Sequence, residues 1–212
     1  MKIGVLLDLD GTLLNTLEDL ADGVNVAMAH FGYPLRTLDE VRHFVGNGVG
    51  HLLRCAAPEG ADLQAVTEVF MAWYGVHCQD KTRPYDGILD ALDQLKKDYP
   101  IAVVSNKPDS AVKQLCQSLF AGVYGLGQTE EIPRKPAPDM VFAAMKELGV
   151  EKCIYVGDSE VDLKTAQNAG VPCISVLWGF RNRQELVEAG ATCFCDHPSQ
   201  LKALVDHRMT EI

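Results

Sequence analysis

Asp8 and Asp10 stand two residues apart at the end of an apolar run, Ile3-Gly4-Val5-Leu6-Leu7, and Gly11 and Thr12 follow at once. Two carboxylates held this close repel each other and any anion brought near them, so a site built on them calls for a cation. Mg2+ suits it best, because it binds through one or two carboxylates, keeps several waters and shares its shell with a substrate phosphate. Gly11 has no side chain to keep backbone amides away from an anion. With a phosphate in place, one carboxylate could attack phosphorus to give an aspartyl-phosphate while the other moves a proton. The same residues also read as a strand that ends in an ordinary Asp-Gly turn, and the choice rests on what else reaches that edge.

The elements that must position these groups follow from periodicity. Ile3 to Leu7 is apolar without alternation, which predicts a central parallel strand covered on both faces. Further apolar runs predict strands at 101–104, 122–126, 153–156, 173–177 and 192–195. Helical patterns lie between them, at 88–95, 111–119 and 138–148, around Ala166 and Ala169, and from about Ser199. Alternating strands and helices predict an α/β fold with a doubly wound parallel sheet. The stretch after the Asp loop differs, because it shows helical spacing only. Leu17, Leu20, Ala21, Val24, Met28 and Phe31 mark one helix, with Thr16 as its expected cap and Gly32 as its stop. Thr37 and Glu40 have capping-box spacing for the next. These patterns predict an α/β core domain over 1–14 and 83–212 and an inserted helical cap domain over 15–82, with Pro84-Tyr85-Asp86-Gly87 marking the return.

In open α/β sheets, ligands bind beyond the carboxyl ends of the strands. Asp8 follows the first predicted strand, Ser105 and Asn106 the next, Lys135 lies in the loop after the weak third, and Asp158 follows the fourth after Gly157. A hydroxyl, an amide, an ammonium group and carboxylates at one edge make a set suited to a phosphate and a metal. Ser105 could donate to phosphate oxygens, Lys135 could balance charge on Asp8 and on the phosphate from a loop stiffened by Pro136 and Pro138, and Asp158 and Asp162 offer metal ligands one helical turn apart. Each also has a plainer reading: a helix-capping loop for Ser105, a solvated lysine, and an N-cap for Asp158.

Asp8-Leu9-Asp10-Gly11-Thr12-Leu13 resembles the first motif of the phosphatase branch of the haloacid dehalogenase (HAD) superfamily. Ser105, Lys135-Pro136 and Gly157-Asp158-x-x-x-Asp162 are similar to its second, third and fourth motifs, in order, so the resemblance spans nearly the whole chain. The helical insertion resembles that superfamily's first cap type (C1). Phe44-Val45-Gly46-Asn47-Gly48 and Pro84-Tyr85-Asp86-Gly87 look most like phosphoglycolate phosphatase-type members.

The resemblance implies a Mg2+-dependent phosphatase of a small phosphorylated metabolite. Asp8 would be the nucleophile and Asp10 the general acid and base. Asp8, the Asp10 carbonyl and Asp158 would hold the metal, with Asp162 supporting it from behind. Gly11, Thr12, Ser105, Asn106 and Lys135 would hold the phosphoryl group, and Lys135 would also assist the chemistry. The organic part would be read by the cap, through Gly46, Asn47, Gly48, His51 or Arg54. Pyrophosphate and nucleotide hydrolases of the same architecture are alternatives. A dehalogenase is disfavoured by Asp10. A sugar-phosphate mutase is disfavoured by Gly48-Val49-Gly50, where a basic residue would be expected. A non-catalytic phospho-ligand-binding protein is disfavoured by the full set of reactive groups.

Composition sets the outer bounds. The 212 residues are 47% hydrophobic and 23% charged, as in ordinary globular proteins. The net charge of −10 argues against general binding of nucleic acid or of anionic membranes. Seven scattered cysteines are expected as reduced thiols in a cytoplasmic monomer or homodimer, with Cys193-Phe194-Cys195 an edge strand rather than a metal site. No apolar stretch reaches membrane-spanning length.

Overall fold

The computed structural model describes residues 2–210. The chain opens with β1 (Ile3–Leu7) and the short β2 (Leu14–Asn15). Helices α1 (Leu17–His30), α2 (Leu38–Phe44), α3 (Val49–Ala56) and α4 (Leu63–His77) follow. The short β3 (Arg83–Pro84) then leads into an alternation: α5 (Ile88–Asp98), β4 (Ile101–Pro108), α6 (Asp109–Leu119), β5 (Tyr124–Gln128), α7 (Asp139–Leu148) and β6 (Lys152–Gly157). It continues through α8 (Glu160–Ala169), β7 (Cys173–Val176), α9 (Arg183–Glu188), β8 (Phe194–Cys195) and α10 (Leu201–Met209).

Six of these strands form one parallel sheet in the order β5-β4-β1-β6-β7-β8. The chain leaves β1 in one direction to build β4 and β5, then crosses back to build β6, β7 and β8. That reversal makes the carboxyl end of β1 a topological switch point, the place where such sheets bind ligands. Alternate residues of β1 serve opposite faces. Val5 and Leu7 pack with Leu92, Leu95, Val112 and Val205. Leu6 packs with Met140, Val141, Ala144 and Tyr155 on the other face. Both faces are dry, which is why the run shows no polar alternation. Truncating Leu6 or Leu7 to alanine would cost about 2–5 kcal/mol.

Helices α1 to α4 build a core of their own, in which Val24, Met28, Val41, Leu53 and Phe70 are fully buried. Phe180, from the loop after β7, packs into that same cluster. The chain enters and leaves the helices through an antiparallel pair, with Leu14 opposite Pro84 and Asn15 opposite Arg83. Asp19, wholly buried on α1, accepts from the amides of Lys81 at 3.0 Å and Thr82 at 2.8 Å and so fixes the exit beside the entry.

Some expected bounds shift for local reasons. Thr16 does not cap α1, because its backbone (φ −106°, ψ 2°) is not extended as a capping residue's is, and its buried hydroxyl has no partner. Thr37 and Glu40 do form the capping box of α2. β5 begins at Tyr124 rather than 122, because Gly122 turns with φ +77°. β4 does not stop at Val104 but stays extended to Pro108, with a register shift against β5 beyond Val104. β8 is confined to Phe194 and Cys195, and all seven cysteines are free thiols. Among the described residues no helix is long and apolar enough to cross a membrane.

Candidate active site

Asp8 is the first residue beyond β1, where its amide donates to Val156 O at 2.9 Å and its side chain is nearly buried. Lys135 approaches from the loop before α7. Its Nζ lies 2.8 Å from Asp8 Oδ1, 2.8 Å from Asp162 Oδ1 and 3.0 Å from the Tyr155 hydroxyl. Burial works against the charge of Lys135, yet Asp162 and Asp8 outweigh it and hold its pKa well above the ordinary lysine range. Lysine here is therefore a fixed cation, placed behind Asp8 rather than in solvent.

Asp158 and Asp162 come from the turn between β6 and α8. Asp162 closes a capping box by accepting from Ser159 N at 3.1 Å and Ser159 Oγ at 2.7 Å, so Ser159 rather than Asp158 is the cap. Asp158 is left facing β1. Its Oδ1 accepts from Thr12 Oγ1 at 2.9 Å and its Oδ2 from Phe180 N at 2.8 Å. Two glycines make room for it, since a Cβ on Gly11 or on Gly179 would come within 2.3 Å of the Asp158 side chain. Gly11 also has φ +86°, a conformation that further favours glycine.

Ligand atoms of Asp8, Asp158 and Asp162 lie within 4.8 Å of one another, all three residues buried. Burial, then the charge of Asp162, pushes Asp158 up to about 7 from its ordinary 3.8, against the opposing bonds from Phe180 N and Thr12. Burial, then Asp162, likewise holds Asp8 well above the carboxylate range, with Lys135 pulling the other way. Three buried carboxylates with one shared lysine are short of positive charge. A hard divalent cation fits that deficit and that oxygen donor set.

The structure also redistributes roles. Gly11 N donates to Leu14 O at 2.9 Å, Thr12 N to Leu9 O at 3.3 Å, and the Thr12 hydroxyl to Asp158. In this structure these groups shape the loop and hold Asp158. Asn106 is similarly committed, for its Nδ2 donates to Gly46 O at 3.0 Å and to Lys135 O at 2.9 Å. It ties the cap loop to the lysine loop. Ser105 lines the cavity above Asp8 and Asp10.

That cavity is small, ≈ 40 Å³, and lies between the sheet edge and the helices. Gly46 and Gly48 line it; Asn47, His51 and Arg54 do not. Helix α3 turns Leu52, Leu53 and Ala56 inward, so the helical period carries the intervening residues away. Arg54 is exposed, and His51 Nε2 lies 3.5 Å from Cys55 Sγ. The structure thus places His51 and Arg54, offered by the sequence as readers of the organic part, outside the lining of this cavity.

Three residues with no expected role now have one. Lys107 Nζ lies 2.8 Å from Asp10 Oδ1, and its side chain is almost completely buried. Burial opposes its charge but Asp10 outweighs it, so its pKa is raised. Tyr74, from α4, puts its ring under Lys107 Nζ, 4.9 Å from the centroid. Arg181 donates from the core to Glu160 and to the carbonyls of Arg42 and Val45. Lys107 had a signal in the sequence. A strand extended through Ser105-Asn106-Lys107 would carry 105 and 107 on one face.

A family model for haloacid dehalogenase-like hydrolases matches residues 5–176. The chain is 32% identical over 206 residues to the phosphoglycolate phosphatase of Pseudomonas fluorescens (strain Pf0-1), covering 91% of this chain and 75% of that one. It is 32% identical over 198 residues to the phosphoglycolate phosphatase of Rhodobacter capsulatus, covering 85% and 87%. A crystal structure from Lactobacillus delbrueckii subsp. bulgaricus, provisionally described as a phosphoglycolate phosphatase, matches with a TM-score of 0.89 at 37% identity and covers 95% and 98%.

Proposed function

This chain belongs to the haloacid dehalogenase-like hydrolases, and from that membership and the site geometry we propose that it is a Mg2+-dependent phosphomonoester hydrolase, phosphoglycolate phosphatase-like, acting on a small phosphorylated metabolite through an aspartyl-phosphate. The observation that carries the reading is the convergence of Asp8, Asp10, Lys135 and Asp158 on one sheet edge, with Asp8 paired to Lys135 and Asp10 to Lys107.

Asp8, Asp158 and the Asp10 carbonyl would hold Mg2+, and Asp162 would support it while anchoring Lys135. When bound, the metal supplies the positive charge that keeps Asp8 ionised and draws in the phosphate. An Asp8 carboxylate oxygen attacks phosphorus, the ester P–O bond breaks, and protonated Asp10 gives its proton to the leaving oxygen. Asp10, now a carboxylate, takes a proton from water as that water attacks the aspartyl-phosphate. The second P–O cleavage releases inorganic phosphate and restores Asp8. Lys135 balances charge on Asp8 throughout, and Lys107 orients Asp10. Ser105, on the cavity wall, donates to phosphate oxygens in this reading.

The segment 15–82 serves as a cap hinged on the β2–β3 pair. Similarity to proteins named phosphoglycolate phosphatase, at 32% identity, supports the phosphoglycolate-like reading over a nucleotide phosphatase. Screening purified protein against small phosphate monoesters, nucleotides and pyrophosphate, with and without Mg2+, tests this. Preference for a small monoester is expected, and hydrolysis of pyrophosphate or nucleotides alone would overturn the assignment.

A further inference from the structure

The cap residues that face the cavity are almost entirely apolar. Leu20, Val45, Val49 and Leu52 offer hydrocarbon, and Gly46 and Gly48 offer backbone. Among the described residues, Tyr74 is the one cap residue on the cavity whose side chain carries a polar atom. Tyr74 is 1% exposed, and its buried hydroxyl has the Lys107 ammonium, a donor only, as polar neighbour and no group to accept its own proton. Such a group costs free energy unless a ligand completes it. Burial also holds the phenol well above its ordinary pKa, so it stays a donor.

The core contributes two cationic side chains to the same cavity. Arg181 is occupied by Glu160 and by the backbone carbonyls of the cap. Lys107 commits one donor to Asp10, and an ammonium group has three. Its position over the Tyr74 ring brings the two residues together, one from the core and one from the cap. Asp10, as general acid, must sit beside the ester oxygen of the leaving group. Lys107 and, beyond it, Tyr74 are the polar side chains next to Asp10 on that side of the cavity.

The geometry points to Tyr74 as the specificity-determining residue of the cap: with Lys107, its hydroxyl binds an anionic oxygen, a carboxylate, on a short leaving group. This inference rests on the phosphomonoesterase reading above and adds the group that selects the substrate. The selecting donor comes from α4, not from the loop around Asn47 or from α3. Lysine supplies charge and the phenol supplies direction, while the hydrocarbon wall excludes neutral polar leaving groups that would leave their own hydroxyls unpaired.

Tyr74→Phe tests it, because the substitution keeps the ring under Lys107 and removes only a hydroxyl whose proton has no acceptor in the protein. The fold should persist, which a thermal melt shows. kcat/KM for 2-phosphoglycolate should fall about 10-fold or more, while kcat/KM for an aryl phosphate should change less than about 3-fold. Inhibition of aryl phosphate hydrolysis by glycolate should weaken in the same variant. Equal changes for the two substrates, or unchanged glycolate inhibition, would overturn the role of Tyr74. A wild-type protein that hydrolyses aryl phosphate but not 2-phosphoglycolate would overturn the carboxylate class and leave the phosphatase reading standing. Absence of all monoesterase activity in the wild type would remove both.

Discussion

Asp158 shows how strongly this site depends on a missing positive charge. Its pKa is raised to about 7 from 3.8, so between those values the folded, metal-free chain keeps a proton that the unfolded chain has lost. The native state binds more protons there, and stability contributed by this group falls as pH rises through that window. Asp8 shifts in the same direction. In chelator, the melting temperature of wild type relative to Asp158→Asn should therefore decline from about pH 4 to about pH 7, and added Mg2+ should raise the wild-type melt most at the upper end. A wild-type melt that does not decline relative to the variant would show that these carboxylates carry no such strain. Lys107→Met should reduce kcat at least about 10-fold for every substrate, because Asp10 loses the partner that orients it. Loss confined to carboxylated substrates would mean that Lys107 reads only the leaving group. The motif residues were legible in the sequence because strand ends and carboxylate spacing are local signals. The commitment of Thr12 to Asp158 was not, since it joins residues 146 positions apart.

At the scale of elements, the core and the helices meet at the carboxyl end of α2 and the loop that follows it. Arg181 donates to Arg42 O at 3.0 Å and Val45 O at 3.1 Å, Arg42 donates back to Phe180 O at 3.2 Å, and Asn106 holds Gly46 O. Helix-terminal carbonyls lack partners within their own helix, so a guanidinium from the loop after β7 satisfies them and ties the end of α2 to the sheet. Arg181→Ala should lower stability by about 1–3 kcal/mol and reduce kcat/KM in proportion for carboxylated and aryl substrates alike. A thermal melt and the two rate measurements check this, and selective loss of one substrate would reassign Arg181 to recognition. Periodicity alone marks most of these helices and strands, and residue spacing marks the capping box at Thr37. It mistook the end of β4 because Ser105, Asn106 and Lys107 look like a loop by composition but remain extended beside β5. It could not show that Leu52 rather than His51 or Arg54 lines the cavity, because proximity in sequence to Gly48 says nothing about which face of α3 turns inward.

For the whole molecule, the sheet and the helices pack cores of their own, and the proposed function assigns phosphoryl transfer to the sheet edge and choice of the leaving group to the helices. The division into alternating α/β segments and an all-helical insertion was readable from periodicity, whereas the Tyr74–Lys107 contact spans both parts and needed the fold. Chelation should abolish turnover and Mg2+ restore it, measured as phosphate release, and activity that persists in metal-free buffer would contradict the charge argument. The central claim is that Asp8 becomes phosphorylated. Its most direct test is rapid-quench mass spectrometry of Asp10→Asn mixed with an aryl phosphate, whose leaving group needs no acid but whose aspartyl-phosphate still needs a base to be hydrolysed. An adduct of about 80 Da should accumulate on the peptide that contains Asp8 and be absent from Asp8→Asn. Turnover by wild type with the phosphoryl group found on another residue, or undiminished turnover by Asp8→Asn, would contradict it.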